Sequence, residues 1–544
     1  MGVRGRAEIL PSLDSASFRL QPRQMATEVE LKLYCSPGEI ARVGTHPLVA
    51  AGIEVGTLQR LENVYYDTPD MALYRERVAL RLRTTPTEQL QTVKCDAKAV
   101  AGLAVRPEWE TSYKGAFDFS AIEVSTLRDF LEERQSSLQP VFVTSFERRT
   151  WRVDIARKIA IRVMVDSGHV VSDGRSLPIS EVELELAQGK PEDLLDFAIA
   201  LATHLPLVPH DVSKAERGYQ LFLKQLPGAR KAPPSLVGAK QDSYAAFQFL
   251  ASQGLQMWQA NLLGVLTSKD QEFVHQFRVS LRRLGSLLKV FKPALPGRYH
   301  ARWTKRVKEL SRVAGDVRDL DVMRSGILAP MLQCGDAGAE LHVKAALAAF
   351  DRAQAEAVTQ LAQLQYGAPV LLFVRDLQDL DAGDFSRNLF RFAEKQLAGL
   401  HRSALKCLTR TLKTPTPERA HRLRIALKHL RYSCEFFAPL FDKDEMLDYA
   451  KSVASLQDAF GFLNDFHVAL SRLQDWVGDG TIPQESRDAI AAWHTPQAQA
   501  TMIDALHLAE SLMNRCQPWC TECERRGVAT IRRLMNQEIK LHVE

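Results

Sequence analysis

The sequence predicts an α+β multidomain protein, with an antiparallel β tunnel in its N-terminal part and an all-α, internally duplicated helical bundle in its C-terminal part. Three observations carry this prediction. Short strands with alternating charge occupy the first 223 residues, the second half repeats its own residues at a fixed offset, and a Pro- and Gly-rich run at 226–240 separates the two patterns. The expected domains are an N-terminal extension at 1–24, a tunnel domain at 25–225, a linker at 226–240 and a helical domain at 241–544.

Residues 1–24 precede a second methionine, Met25, and are assigned no function. In Thr27–Leu33 a period of two puts Glu28, Glu30 and Lys32 on one face of a strand and Val29, Leu31 and Leu33 on the other. Ser180–Leu186 repeats the pattern with Glu181, Glu183 and Glu185, and Leu80–Arg83 supplies a basic counterpart through Arg81 and Arg83. Further strand-like runs are Val78–Arg83, Gln89–Cys95, Thr150–Asp154, Ile159–Asp166 and Glu181–Leu186, with turns at Asp67–Asp70 and Ser172–Gly174. Helices are expected near Ser125–Arg134 and Pro191–His204. Two acidic strands and one basic strand suggest a barrel with a charged interior. Clustered carboxylates suit hard divalent cations and Arg/Lys forks suit phosphate oxygens, so together they describe a metal-assisted site for a polyphosphate chain.

The duplication has an offset of 146 residues and needs no gap. It pairs His275 with His421, Arg278 with Arg424, Leu281 with Leu427, Arg282 with Lys428 and Phe291 with Phe437. It continues into the next helix through Leu310 and Leu456, Gly315 and Gly461, and Asp319 and Asp465. Two related helical bundles should face each other. His275, Arg278 and Arg282, with Arg283 beside them, form a basic stripe on the first helix; His421, Arg424, Lys428 and Arg431 form one on the second. A solvated basic face is the plain alternative for either stripe. If both line one groove, their mutual repulsion requires acids or a bound polyanion between them. Neither stripe interleaves aromatic residues, which favours polyphosphate over nucleic acid.

A chain of 544 residues with 46% hydrophobic content can build two cores, and no apolar run reaches the roughly 18 residues of a membrane span. A cytoplasmic protein with no membrane partner is expected, with polyphosphate granules as a further location reached through its helical half. Residues 1–240 hold 31 basic and 31 acidic residues of the 70 and 65 in the chain, so the net charge of +5 lies in the second half. Eight cysteines are scattered, with one cluster at Cys516, Cys520 and Cys523, and are expected to be reduced thiols.

The ordered set of motifs resembles the CYTH superfamily from Met25 to about Leu223. The matching segments are Glu28-x-Glu30-x-Lys32, Tyr65–Thr68, Leu80–Arg83, Thr92–Lys94, Arg106–Glu110, Phe146–Arg149, Asp166, Glu181–Leu186 and Ser213–Gly218. The remainder, from about Asp242, resembles the CHAD domain, and the two together resemble bacterial CYTH–CHAD inorganic triphosphatases. The resemblance implies an eight-stranded antiparallel tunnel that handles triphosphates with Mg2+ or Mn2+, and a helical module associated with polyphosphate. It also implies Glu28, Glu30, Glu183 and Glu185 as the metal set, with Asp166 completing it and Glu181 further out. Lys32, Arg81, Arg83, Lys94, Arg149 and Lys214, and more weakly Arg106, are the candidates for gripping phosphates. Glu108 and Glu110 would orient these bases or position water. The expected reaction is metal-dependent hydrolysis of inorganic triphosphate to pyrophosphate and phosphate. Adenylate cyclase, thiamine triphosphatase and a non-catalytic polyphosphate-granule protein are the rivals.

Overall fold

The computed structural model describes residues 27–85, 87–95, 99–225, 227–363, 367–381, 383–414 and 416–520. Among the described residues, ten strands lie in the first part of the chain: β1 (Thr27–Tyr34), β2 (Ile53–Glu54), β3 (Gln59–Asp67), β4 (Val78–Thr84), β5 (Gln89–Cys95), β6 (Leu103–Ser112), β7 (Gln139–Ala156), β8 (Ile159–Ser172), β9 (Arg175–Gln188) and β10 (Val208–Pro209). Their order runs β1-β6-β5-β4-β3-β7-β8-β9, and β9 pairs back onto β1 from Glu30↔Glu185 to Tyr34↔Glu181. Eight antiparallel strands therefore close into the expected tunnel, and closure leaves no free sheet edge among them.

Alternation decides what faces the lumen. Leu31 and Leu33 are fully buried on the outer face of β1, while Glu30 and Lys32 are buried on the inner face. Outside, Leu73, Leu80, Val93, Phe119 and Ile122 pack with Leu127 and Leu131 of the helix Ser125–Glu132. The helix Lys214–Phe222 starts at Ser213, whose hydroxyl accepts from Glu216 N–H. It brings Tyr219 and Leu221 against Leu61, Tyr65, Phe142, Phe146, Val170 and Ile179 of the strands. Gly218 permits that contact, because a Cβ there would come within 2.0 Å of the Phe142 ring. Asp67 ties the same region together. Its carboxylate accepts from Thr68, Leu73 and Tyr74 N–H and from the Tyr219 hydroxyl at 2.7–2.9 Å.

In the second part, the duplication reappears as geometry. The helices Gln271–Phe291 and Pro417–Phe437 begin and end 146 residues apart. Their N-caps, Asp270 and Thr416, are 146 apart as well, and so are the starts of the following helices, Gly297–Val322 and Lys443–Gly478. Leu281, Leu284, Leu288 and Phe291, with Leu423, Leu427, Leu430 and Phe437, are the buried faces. The two basic-stripe helices pack on one another, with Phe291 and Phe437 ring centroids 6.0 Å apart and the Ser286 hydroxyl 2.9 Å from His429 Nδ1.

The chain divides into two compact units. One takes the described residues within Met1–Arg230, Gln259–Ser268 and Gln365–Leu380, and the other takes Lys231–Trp258, Lys269–Leu364 and the described part of Asp381–Glu544. Two stretches that follow the 226–240 run in sequence thus belong to the tunnel unit. No helix among the described residues is long and apolar enough to cross a membrane. Cys516 is disulfide-bonded, which corrects the expectation of reduced thiols at that position.

Candidate functional site

The tunnel carries two kinds of charge cluster. In the first, acids and bases balance. Arg148 donates to Asp166 from Nε (2.7 Å) and from a terminal nitrogen (2.6 Å), and to Glu183 at 2.5 Å. Lys214 reaches Asp166 at 2.7 Å and Glu183 at 3.0 Å and also donates to Glu181, which Arg217 meets from the other side. Three buried carboxylates thus face three cations. Burial alone would raise the Glu183 carboxyl, but Lys214, Arg148 and Lys32 hold it well below the ordinary range. Burial would lower the Lys214 ammonium, and Asp166, Glu181 and Glu183 raise it instead.

Elsewhere the charges are held more loosely. The Arg81 guanidinium lies 3.7 Å from Glu108 and 3.9 Å from Glu110, and Arg83 lies 3.6 Å from Glu110, all beyond hydrogen-bond length. Arg83 does donate through Nε to Asn63 Oδ1 at 3.0 Å, and Asn63 is fixed in turn by Thr144 at 3.0 Å. Arg81 Nε is buried and has no partner among the described residues. Burial, with Arg81 and Arg148 close by, pulls Arg83 down to about 10. Burial would lower the Arg81 guanidinium too, but Tyr65, Glu108 and Glu110 raise it instead, so Arg83 is the one that an anion would complete.

A further group of charges lies where β1 meets β9. Glu30 and Glu185 stand directly across the strand pair, an arrangement that like charges oppose. Lys32 holds Glu30 at 2.5 Å, and Lys94 bridges Glu28 (3.0 Å) and Glu108 (2.9 Å). The Glu185 carboxyl is raised by burial and by the charges of Glu28 and Glu108, against Arg162 at 2.8 Å. These carboxylates are hard oxygen donors, and a divalent cation beside the raised Glu185 would fit them. Asp166, Glu181 and Glu183 also offer ligand atoms within 4.8 Å of one another, but their neighbours Arg148, Lys214 and Arg217 already neutralise them.

The structure thus brings Glu28, Glu30, Lys32, Arg81, Arg83, Lys94, Glu108, Glu110, Asp166, Glu183, Glu185 and Lys214 together in one lumen. Arg149 is corrected. Its side chain is 53% exposed, pairs with Glu54 at 2.9 Å and stacks 5.1 Å from the Trp151 ring, while Arg148 takes the inward position. The Arg106 side chain lies outside the described residues. Arg148, Arg217, Asn63 and Thr144 are lumen residues that sequence reasoning missed. Arg148 carried a usable signal: the β7–β8 hairpin register sets Arg148 opposite Asp166, so an inward Asp166 implies an inward Arg148.

In the other unit the two basic stripes converge. The Lys428 ammonium is lowered to about 8 by burial and by the charges of Arg282, Arg424 and Arg278. Arg278 donates to Gly315 O at 2.6 Å and lies 3.4 Å from Asp319. Arg282 Nε and Arg424 Nε are buried with no hydrogen-bond partner among the described residues. Arg283 and Arg431, by contrast, share Glu435, and His421 Nδ1 lies 3.4 Å from Asn464. Burial and the Arg318 charge lower His275, which favours its neutral form. The loosely held cations are therefore Arg282, Arg424 and Lys428, with Arg278 beside them paired to Asp319.

The model of the CYTH domain matches residues 26–219 and that of the CHAD domain matches residues 250–474. An inorganic triphosphatase from Haemophilus influenzae is 31% identical over 272 residues, spanning 49% of this chain and 76% of that protein. Among solved structures, the CHAD domain from the plant Ricinus communis aligns with a TM-score of 0.45 at 25% identity, covering 54% of this chain and 98% of that one. A Hippeastrum protein described as an adenylyl cyclase with a dominant triphosphatase activity aligns with a TM-score of 0.27 at 14% identity, covering 37% and 97%.

Proposed function

This chain belongs to the family of inorganic triphosphatases that join a CYTH domain to a CHAD domain, and from that premise we propose that its tunnel hydrolyses inorganic triphosphate to pyrophosphate and phosphate with a divalent cation, Mg2+ or Mn2+. The observation that carries the reading is the pair of strained charges inside one lumen: the Arg83 guanidinium pulled down to about 10 beside Arg81, and the Glu185 carboxyl raised across from Glu30 at the β1–β9 seam. A triphosphate with a bound cation satisfies both at once. Glu28, Glu30 and Glu185 would hold the cation, with Glu183 beside them on β9. When bound, the ion draws charge from the phosphate oxygens and makes phosphorus more open to attack.

The remaining work falls to the chain's own side chains. Lys32, Lys94 and Arg81 line the phosphate path, and Arg83 meets a phosphate oxygen through the terminal nitrogens that Asn63 leaves free. Water attacks phosphorus in line, the bond to the bridging oxygen breaks, and pyrophosphate departs with its new charge held by the guanidinium pair. Catalysis comes from placing fixed charges before the reaction starts. No covalent enzyme intermediate is required.

A substrate panel with Mg2+ or Mn2+ tests this reading, scoring phosphate release against cyclic nucleotide. Triphosphate should turn over only with the cation, and chelation should abolish turnover. Glu30→Gln and Glu185→Gln should impair cation-dependent turnover, and Arg83→Ala should raise KM. Clear preference for ATP with a cyclic product would sink the assignment. For the helical unit, the convergence of Arg278, Arg282, Arg424 and Lys428 supports binding of inorganic polyphosphate. Arg278→Ala with Arg424→Ala should weaken it more than either change alone, and added salt should weaken it in the parent.

A further inference from the structure

We infer that Gln259 is a positioning residue for the tunnel, holding the Ala101–Gly102 turn that clasps the backbone of Lys32. The inference rests on the reading of Lys32 as a phosphate-binding group. Lys32 stands where β1 leaves β6, one residue beyond their last pair, Leu31↔Leu103. Two segments take over its backbone there. Its N–H donates to Gly102 O at 3.0 Å, and its carbonyl accepts from His210 N–H at 3.0 Å. The segments are themselves joined, since Gly102 N–H donates to the Asp211 carboxylate at 2.7 Å.

This clasp is under tension at the turn. Ala101 and Gly102 both have left-handed backbone, with φ of 54° and 81°. Glycine is required at the second position, because a Cβ there would lie 2.3 Å from the Lys32 carbonyl oxygen. Alanine at the first position is disfavoured in that conformation and must be held in it. The Ala101 N–H donates to Gln259 Oε1 at 2.9 Å, with Ala101 fully buried and Gln259 only 4% exposed. A buried N–H that loses its acceptor is costly, so without Gln259 the turn would rotate to find another partner. Any such rotation moves Gly102 O, which fixes Lys32. Gln259 is 158 residues from Ala101 in sequence, yet it falls in the Gln259–Ser268 stretch that belongs to the tunnel unit. Two residues on, Asn261 binds both backbone groups of Arg230, at 2.9 and 3.0 Å, and so ties the same stretch down away from Lys32.

The test is steady-state hydrolysis of tripolyphosphate by the full chain at saturating Mg2+. Gln259→Met keeps volume and removes the acceptor. It should raise KM about tenfold and leave kcat within about twofold, the signature of lost ground-state binding. In a Lys32→Met background the same change should alter KM less than about twofold, because the effect runs through Lys32. Gly102→Ala, which presses directly on the Lys32 carbonyl, should reproduce both results. Asn261→Ala should lower the melting temperature without moving KM. An unchanged KM in Gln259→Met, or an equal rise in both backgrounds, overturns the inference. A parent chain that cannot hydrolyse triphosphate overturns the functional reading itself, and this inference with it.

Discussion

Lys428→Met should stabilise the protein in the absence of a polyanion while weakening polyphosphate binding. The Lys428 ammonium falls from its ordinary 10.5 to about 8, through burial and the Arg282, Arg424 and Arg278 charges. Folding therefore works against the protonated amine. At neutral pH the cost is at most about 3 kcal/mol, taking 1.36 kcal/mol for each pH unit between the two values. The folded-state value lies below the unfolded one, so the penalty is full below pH 8, shrinks between pH 8 and 10.5, and is gone above that. Methionine keeps the aliphatic stem and removes the charge. The variant should melt roughly 5–10 °C above the parent at pH 7, and the gap should narrow by pH 9.5. The assay is thermal melting of both chains at fixed ionic strength across that range, with and without long-chain polyphosphate. In the parent, polyphosphate should raise the melting temperature at pH 7 and less at pH 9.5. A variant that melts below the parent at pH 7, or a gap that stays constant with pH, would refute the argument.

Arg148 and Arg149 should separate cleanly in denaturant melts. Arg148→Ala leaves Asp166 and Glu183 short of a buried partner and should cost about 3–5 kcal/mol, whereas Arg149→Ala loses an exposed pair with Glu54 and should cost about 0–1 kcal/mol. Arg162→Ala removes the cation that opposes the upward pull on Glu185. Glu185 acts as a carboxylate, so the acid limb of kcat/KM against pH should move to higher pH, and an unmoved limb would take Glu185 out of the chemistry.

The tunnel was legible because its strands alternate so strictly. Once Glu28, Glu30 and Lys32 share a face, the partners on β9 follow from the same rule, and the closing pairs Glu30↔Glu185 and Lys32↔Glu183 are what that rule requires. The helical repeat was legible because an ungapped offset preserves helix ends, caps and buried faces alike. Arg149 was misplaced because two adjacent arginines differ by one residue, which in a strand is the whole difference between lumen and solvent. Only the hairpin register separates them. Gln259 was beyond reach for another reason. Nothing local marks a glutamine in the middle of a helix as the acceptor for a turn 158 residues earlier. The same holds for Asn63 and Thr144, whose value lies in a shared hydrogen bond across two strands.

Charge count alone does not separate working groups from structural ones in this lumen; compensation does. Asp166, Glu181 and Glu183 form the tightest carboxylate group among the described residues, and by proximity they would be the first choice for a metal. Yet a cation entering there would have to displace Lys214 or Arg148, leaving a buried ammonium or guanidinium without its acid. That displacement opposes binding. At Glu185 the sign reverses, because burial and the Glu28 and Glu108 charges raise its carboxyl despite Arg162, and a cation beside it would lower that cost. On the basic side the same comparison picks out Arg83, which burial and the nearby Arg81 and Arg148 pull down to about 10, whereas Tyr65, Glu108 and Glu110 hold Arg81 up. The balanced cluster can then serve as the rigid wall of the tunnel, and the unbalanced ones as the part that substrate completes. Asp166→Asn should therefore damage folding more than it damages the turnover of the protein that does fold, and Glu30→Gln should do the reverse.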